Sequence, residues 1–309
     1  ALGRFKHENA ELVISKDGKI IVYMGDDERG EYLYKYVSNE SISEVKDKST
    51  LLSDGNLFVA KFNDNFTGKW LLLDTQTTGL SSKAEVCIFT RLAASKVGAT
   101  TMDRPEWIAS NPKKNEVCCC LTNNKNRGIK TNKGGDKVDV DKVNPRKNNK
   151  YGQIVRWSPQ DNNHSSVYFE WDLFVVAGNP EVHDDNNKGS KNINEDNMFN
   201  SPDGLKFDKY GRLWIQTDGN YSNSGDFKGM GNNQMLIADT NTGKIKRFMV
   251  GPKECEVTGL TFAPDYKTVF VGIQHPGERL GSNFPDNGNN KPRSCIIAIQ
   301  KKDGSEILT

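Results

Sequence analysis

Four acidic residues stand at matching points of this chain. Glu8, Glu106, Asp203 and Glu256 each open a strand–turn–strand stretch that closes on a second polar cluster. The stretches read HENAELVISKDGKIIVYMGDDE, PEWIASNPKKNEVCCCLTNN, PDGLKFDKYGRLWIQTDG and EVTGLTFAPDYKTVFVGIQHPGE. A hairpin returns the chain to the end it left, so each opening acid shares an end with its closing cluster. Arranged radially, as in a propeller, four carboxylates would meet at one mouth. Two like charges ~4 Å apart repel by about 1 kcal/mol in water and several-fold more when half-buried. Bound cations relieve that repulsion, so the pattern points to a metal centre built from carboxylates.

The elements that must position these acids are short strands. One group is expected at 11–15, 19–24, 32–37 and 57–62, and a second at 106–110, 116–121, 152–157 and 167–176. A third falls at 204–207, 212–217, 234–238 and 244–249, and a fourth at 258–262, 268–273 and 294–299. Turn residues such as SKDGK, SDGN, FDKYG and NTGK separate them. Four strands per group is the grammar of propeller blades. The fold class is therefore all-β, a β-propeller with about four blades of four strands. A single domain over 1–309, truncated at both ends, is expected, since the chain starts without Met and stops at what reads as a beginning strand.

The opening acids lie 98, 97 and 53 residues apart, whereas a blade needs only about 40–50, so the first two groups carry insertions. KAEVCIFTRLAASKVG sets Val86, Phe89, Leu92, Ala93 and Val97 near one helical stripe, with Gly98 as its stop. Between Asn123 and Lys150, nine Lys/Arg face three Asp amid Asn and Gly, which reads as a solvated, flexible loop, with an anion-attracting arm as the alternative.

A formal net charge of +2 implies neither nucleic acid nor membrane surface as partner, and no apolar run is long enough to span a bilayer. The six cysteines include no CxxC pair and read as small buried apolar side chains. Arg104 stands two residues before Glu106, and Pro105 favours an extended backbone at Arg104 that would put both side chains on one side. A guanidinium fork suits phosphate; a structural ion pair is the alternative reading. His7 is a candidate to orient a ligand, and His275 closes the fourth unit and could handle phosphate or a proton. His164 and His183 lie in polar loops.

RLAASKVGATTMDRPEW, together with GRFKHENA, YMGDDERGEYLYKYVS, LTNN, YGQIVRW, FNSPDGLKFDKYGRLWIQTDG and CEVTGLTF, resembles the PhoX-type alkaline phosphatases in order and over nearly the whole chain. The resemblance implies an incomplete six-bladed β-propeller, hydrolysis of small phosphomonoesters, and Ca2+ and Fe3+ in the central channel. It also implies a monomer, export to the periplasm or outside, and an upstream segment supplying a cysteine and a further glutamate to the cluster. By position, Glu8, Glu106, Asp203 and Glu256 correspond to metal-cluster acids and Arg104 to the phosphate-holding arginine. Asn123, Asn124 and Asp218 are weaker matches at the same end. Catalysis then rests on Arg104 and Glu106, and substrate binding on Arg104 and His275. PDGLKFDKYGRLW also resembles calcium-dependent lactonase propellers, and a non-catalytic propeller remnant is a third reading.

Overall fold

The stretch KIIVYMGD lacks polar alternation, and it becomes a strand covered on both faces. Its odd-numbered residues Ile21 and Tyr23 enter one core with Trp70, Trp157 and Trp171. Its even-numbered residues Ile20, Val22 and Met24 enter another with Tyr34, Tyr36, Val86 and Ala93. That split follows from the two-residue period of a strand.

The computed structural model describes residues 1–307. They fall into two units: Ala1–Lys150 with Ile154–Phe174, and Tyr151–Gln153 with the residues from Val175 onward. In the first, β1 (His7–Ile14), β2 (Lys19–Asp26), β3 (Leu33–Ser41), β4 (Gly55–Phe62) and β5 (Thr67–Leu72) form an antiparallel meander. β6 (Pro105–Ser110), β7 (Val117–Leu121), β8 (Gln153–Pro159) and β9 (Tyr168–Val176) follow, and β5 pairs with β9. The sheet order is therefore β1-β2-β3-β4-β5-β9-β8-β7-β6. Both expected groups of four are present, but β5 was not anticipated, and it fuses them into one nine-stranded sheet. At the seam Gly68 pairs with Phe169, whose ring lies where a Cβ on Gly68 would be.

Between β5 and β6 the expected helical insertion is present as three short helices: α1 (Thr75–Thr78), α2 (Lys83–Ile88) and α3 (Thr90–Lys96). Asp74 closes a capping box on α1, and Ser82 caps α2. The expected single stripe is broken at Phe89, whose φ of −104° and ψ of 44° end α2 and start α3. Val86 and Ala93 reach the core, whereas Phe89 and Leu92 are left about half exposed.

The basic stretch 123–150 is not the solvated loop expected from its composition. Asn124, Arg127, Asn144 and Asn149 are fully buried, as are nearly all of Val138, Val143 and Arg146. Arg127 is the reason. Its Nε lies 2.7 Å from Asp103 Oδ1, and its Nη groups donate to the carbonyls of Asp139 and Thr101, both at 2.8 Å. Asn149 donates to the other oxygen of Asp103 at 2.8 Å. A buried charge pair with its hydrogen bonds satisfied ties the chain down wherever its two halves lie in the sequence.

His164 also departs from expectation, being buried with its ring 3.1 Å from the hydroxyl of Tyr23. Beside it Lys35 donates to the carbonyls of Ser166 (2.6 Å) and His164 (3.3 Å) and lies 5.1 Å from the Trp70 ring. Burial brings its ammonium down to about 7.

In the second unit β10 (Pro202–Phe207), β11 (Arg212–Thr217), β12 (Gln234–Asp239) and β13 (Ile245–Val250) form a four-stranded meander. β14 (Glu256–Phe262), β15 (Thr268–Gln274) and β16 (Cys295–Gln300) form a three-stranded one. Trp214, Met235, Cys255, Val257 and Val271 make a core shared by both sheets. The β10–β11 turn is set by Asp208, which accepts from the backbone N–H of Tyr210 and Arg212 and from the Trp214 indole. PDGLKFDKYGRLW is thus accounted for by turn chemistry that any hairpin can use.

Two predictions follow from the packing. Gly68→Ala should cost roughly 1–3 kcal/mol by forcing Phe169 aside, seen as a lower urea midpoint with unchanged slope; an unchanged midpoint would mean that the ring yields freely. Arg127→Ala should cost about 3–5 kcal/mol because Asp103 is left buried and charged, and a loss below ~1 kcal/mol in the same titration would remove Arg127 as the anchor of 123–150.

Candidate metal centre

The acids are aimed by two local devices. In three of the four acid-bearing strands the register slips where the acid sits: between His7 and Ala10, between Pro105 and Ile108, and between Pro202 and Leu205. These bulges enclose Glu8, Glu106 and Asp203 and turn their side chains out of the regular alternation. In β14 the slip comes after the acid, between Thr258 and Thr261. The second device is a non-glycine residue with positive φ two positions ahead: Arg104 (56°) before Glu106, Ser201 (51°) before Asp203 and Glu254 (59°) before Glu256. Such a conformation costs about 1–3 kcal/mol and persists only where the surroundings over-determine it. It also corrects the expected extended backbone at Arg104: the preference imposed by Pro105 is overridden.

In the first unit, ligand oxygens of Glu8 and Glu106 lie within 4.8 Å of each other. Glu106 is 2% exposed and Glu8 is exposed. Gly25 of β2 faces the carbonyls of Pro105 and Glu106 so closely that any Cβ there would overlap them. That approach fixes the start of β6. Arg104 does share a side with Glu106: its Nη2 lies 2.8 Å from Glu106 Oε1, while its Nε lies 2.8 Å from Asp27 Oδ1. The guanidinium is thus clamped between two carboxylates. Arg29 donates to Asn123 at 3.0 Å in the same unit. The oxygen of Asn124 accepts from the N–H of Asn126 at 2.9 Å, an Asx turn. His7 stacks on Phe5 with ring centroids 3.7 Å apart and contacts the carbonyl of Gly3 at 3.0 Å.

Sequence reasoning missed Asp27, Arg29, Asp103 and Arg127. The signal was available for the first two in the charged run GDDERGE that closes β2. For Asp103 and Arg127 there was none, because their pairing is long-range.

In the second unit, Asp218, Glu256 and His275 place ligand atoms within 4.8 Å of one another. Register explains part of this. Glu256 pairs with Gln274, so His275 follows directly, and Asp218 follows the end of β11 with its N–H on the carbonyl of Ser201. Gln274 donates to Glu256 Oε2 at 2.8 Å, and His275 Nε2 lies 3.4 Å from the same oxygen. The Nδ1 of His275 is buried without a hydrogen-bond partner, and the residue is held at φ 36°. Burial first, and then repulsion from Asp218, pushes the Glu256 carboxyl up to about 7, against the attraction of His275. Asp203 is 5% exposed on β10. Cys255 turns away from Glu256 into the core, and burial raises its thiol to about 12, far from a thiolate. All six cysteines are free thiols, and Cys118, Cys119 and Cys120 are buried as expected.

These donor sets suit cations. Two carboxylates offer hard oxygens, and Asp218 with Glu256 and His275 adds an imidazole that transition metals accept. Glu256 also supplies a test. Its raised carboxyl favours the folded state below about pH 4.5, and that contribution is lost as pH rises through about 7. A cation competes with that proton. Excess Ca2+ should therefore raise the melting temperature more at about pH 8 than at about pH 5, and Glu256→Gln should shrink the difference. Equal calcium effects at both pH values would rule out Glu256 as a ligand.

The strand content defines a mostly β protein, whose propeller-type fold is that of a solved structure it matches over 99% of its length. A family model described as alkaline phosphatase PhoX matches residues 1–277. The chain belongs to the PhoX alkaline phosphatase family. It is similar to the solved structure of Pseudomonas fluorescens PhoX in complex with vanadate, a transition-state analogue, at 54% identity and a TM-score of 0.92. That similarity covers 99% of this chain and 55% of the other, so the chain spans about half the length of that relative. A luciferin-regenerating enzyme is similar at 10% identity and a TM-score of 0.36, over 92% of this chain and 74% of its own. A gluconolactonase from Xanthomonas campestris is similar at 10% identity and a TM-score of 0.30, over 84% and 67%. Neither is close enough to bear on function. No curated protein matches. Among the described residues no helix is long and apolar enough to cross a membrane.

Proposed function

We propose that this chain carries the metal- and phosphate-binding face of a secreted or periplasmic phosphomonoesterase acting on small phosphate monoesters. The observation that carries this reading is the convergence of Glu8 and Glu106 beside Arg104, whose backbone is held left-handed and whose side chain is clamped by Asp27 and Glu106. A phosphomonoester brings about two negative charges at neutral pH, and its cleavage requires charge neutralisation and an oriented nucleophile.

Glu8 and Glu106 would hold Ca2+, with Asp203 as a further ligand by the family pattern. Asp218 and Glu256 would hold a second cation, with His275 as the nitrogen donor. Fe3+ is the family's companion to Ca2+, and carboxylates accept it. The metals would supply positive charge and a bound water of lowered pKa. The residues' own part is distinct. Arg104 fixes a phosphate oxygen through its planar fork, and Asp27 holds the guanidinium in line. Glu106 links the arginine to the metal ligands, so phosphate and cation are registered against each other. With its nitrogen free of a cation, His275, one residue beyond β15, would accept or return a proton beside Glu256.

No observation favours the lactonase reading, since the motif behind it is explained by the Asp208 turn.

Hydrolysis of p-nitrophenyl phosphate that stops on calcium chelation, without lactone hydrolysis, is the expected outcome. Arg104→Ala should weaken inorganic phosphate binding and lower turnover by roughly 100-fold or more, the usual loss when a charge-stabilising donor is removed. Glu106→Gln should reduce bound calcium measured by elemental analysis. Unchanged phosphate affinity in the first variant, or unchanged metal content in the second, would overturn the assigned roles. A chain that folds with both metals and turns nothing over would favour the non-catalytic reading.

A further inference from the structure

The break at Phe89 has an effect away from the acids. By ending α2 and starting α3 it leaves Ile88, Phe89 and Leu92 exposed at 45%, 48% and 49%. These three side chains, with Phe5, form the apolar wall of a cavity of about 490 Å³ within the first unit. That volume lies in the range of small-molecule sites, which run to roughly 300–1,000 Å³.

The polar part of the cavity is not random. Four cations line it, Arg4, Lys6, Arg91 and Lys133, against two carboxylates, Glu31 and Asp136. Lys6 and Lys133 converge on one oxygen of Glu28, at 3.0 and 2.6 Å. Arg91 is held by both oxygens of Asp26. The exposed Arg4 has only its backbone engaged, through its N–H to Thr90 and Cys87. Glu31 is 1% exposed, and its Oε2 has no hydrogen-bond partner, the nearest cation being Arg91 Nε at 3.6 Å. Asp136, by contrast, is fully engaged by Tyr32, Ser95 and Asn132. A buried acceptor left open beneath an apolar wall costs about 1–3 kcal/mol unless something donates to it.

We infer that this cavity binds a small amphipathic organic anion. Its aromatic or branched aliphatic body lies along Phe5, Phe89 and Leu92, its charge faces Arg4, and an N–H or O–H donor reaches Glu31. The site uses none of the residues assigned to metal or phosphate and does not depend on the phosphatase reading.

The compound 8-anilinonaphthalene-1-sulfonate has all three features and is a suitable probe. Titrated into the chain by fluorescence and by calorimetry, it should saturate at one site per chain, with weaker binding at high salt. Leu92→Asp and Phe89→Asp change exposed positions and should keep the fold while lowering affinity at least about tenfold. Arg4→Ala should lower it roughly three- to tenfold, and Glu31→Ala should lower it without abolishing folding as judged by circular dichroism. Arg104→Ala should leave it unchanged, which separates failure here from failure of the phosphatase reading. Affinity that is indifferent to Leu92→Asp, or binding at several equivalent sites, would overturn the inference. So would a wild-type chain that ignores the probe but sediments as a dimer, with Leu92→Asp restoring the monomer; that result would assign the wall to a second copy.

Discussion

The constraint on which the structure turns is the burial of carboxylates at the beginnings of strands. Glu106, Asp203 and Glu256 are all less than a tenth exposed, and none of these positions is where a hairpin alone would place an acid. A buried carboxylate must be neutralised, paired or bound to a cation. The chain uses different means in different places: Arg104 sits against Glu106, and a raised proton affinity is present at Glu256. The β-bulges and left-handed residues are the backbone's share of the same arrangement. They spend conformational energy to hold the acids out of the regular strand alternation.

Much of the fold was legible because it rests on local pattern. The four groups of strands follow from period-two hydrophobicity and turn residues, and both signals survive into β1–β4, β6–β9, β10–β13 and β14–β16. β5 was not legible. TGKWLL is short, with Gly and Lys directly after its opening Thr, and its place in the sheet is decided by Phe169 filling the gap at Gly68, a contact about a hundred residues away. The loop 123–150 failed for the same reason. Its composition says solvent, yet one arginine meeting an aspartate outside the stretch outweighs the eight other cations along it, because that pair is fully withdrawn from water.

The candidate residues were legible to a different degree. Glu256 and His275 come together through the β14–β15 register, which a hairpin reading can anticipate, whereas Asp218 reaches them from the end of β11 in another sheet. Arg104 was placed beside Glu106 for the wrong local reason. An extended Arg104–Glu106 segment would also set the side chains on one side, so the right neighbours emerged from an incorrect dihedral. The difference matters physically: a relaxed strand would let Arg104 swing, whereas a left-handed residue held by Asp27 has little conformational freedom left to lose.

That preorganisation explains why glycine does not occupy the strained positions. Glycine would remove the conformational cost at Arg104, Ser201 and Glu254, but it would also broaden the unfolded ensemble and loosen the entry to each acid-bearing strand. These side chains are themselves engaged in fixing the local geometry, Ser201 through its hydroxyl on Asn200. Arg104 bridges Asp27 and Glu106, and Glu254 accepts the backbone N–H groups of Arg279 and Gly281 through one oxygen. At these positions the contacts and the strain oppose each other, so the contacts must outweigh a cost of about 1–3 kcal/mol to keep the geometry. The acids two residues further on inherit that rigidity. A metal ion or phosphate bound there would meet donors already in place, with the ordering cost of binding met during folding.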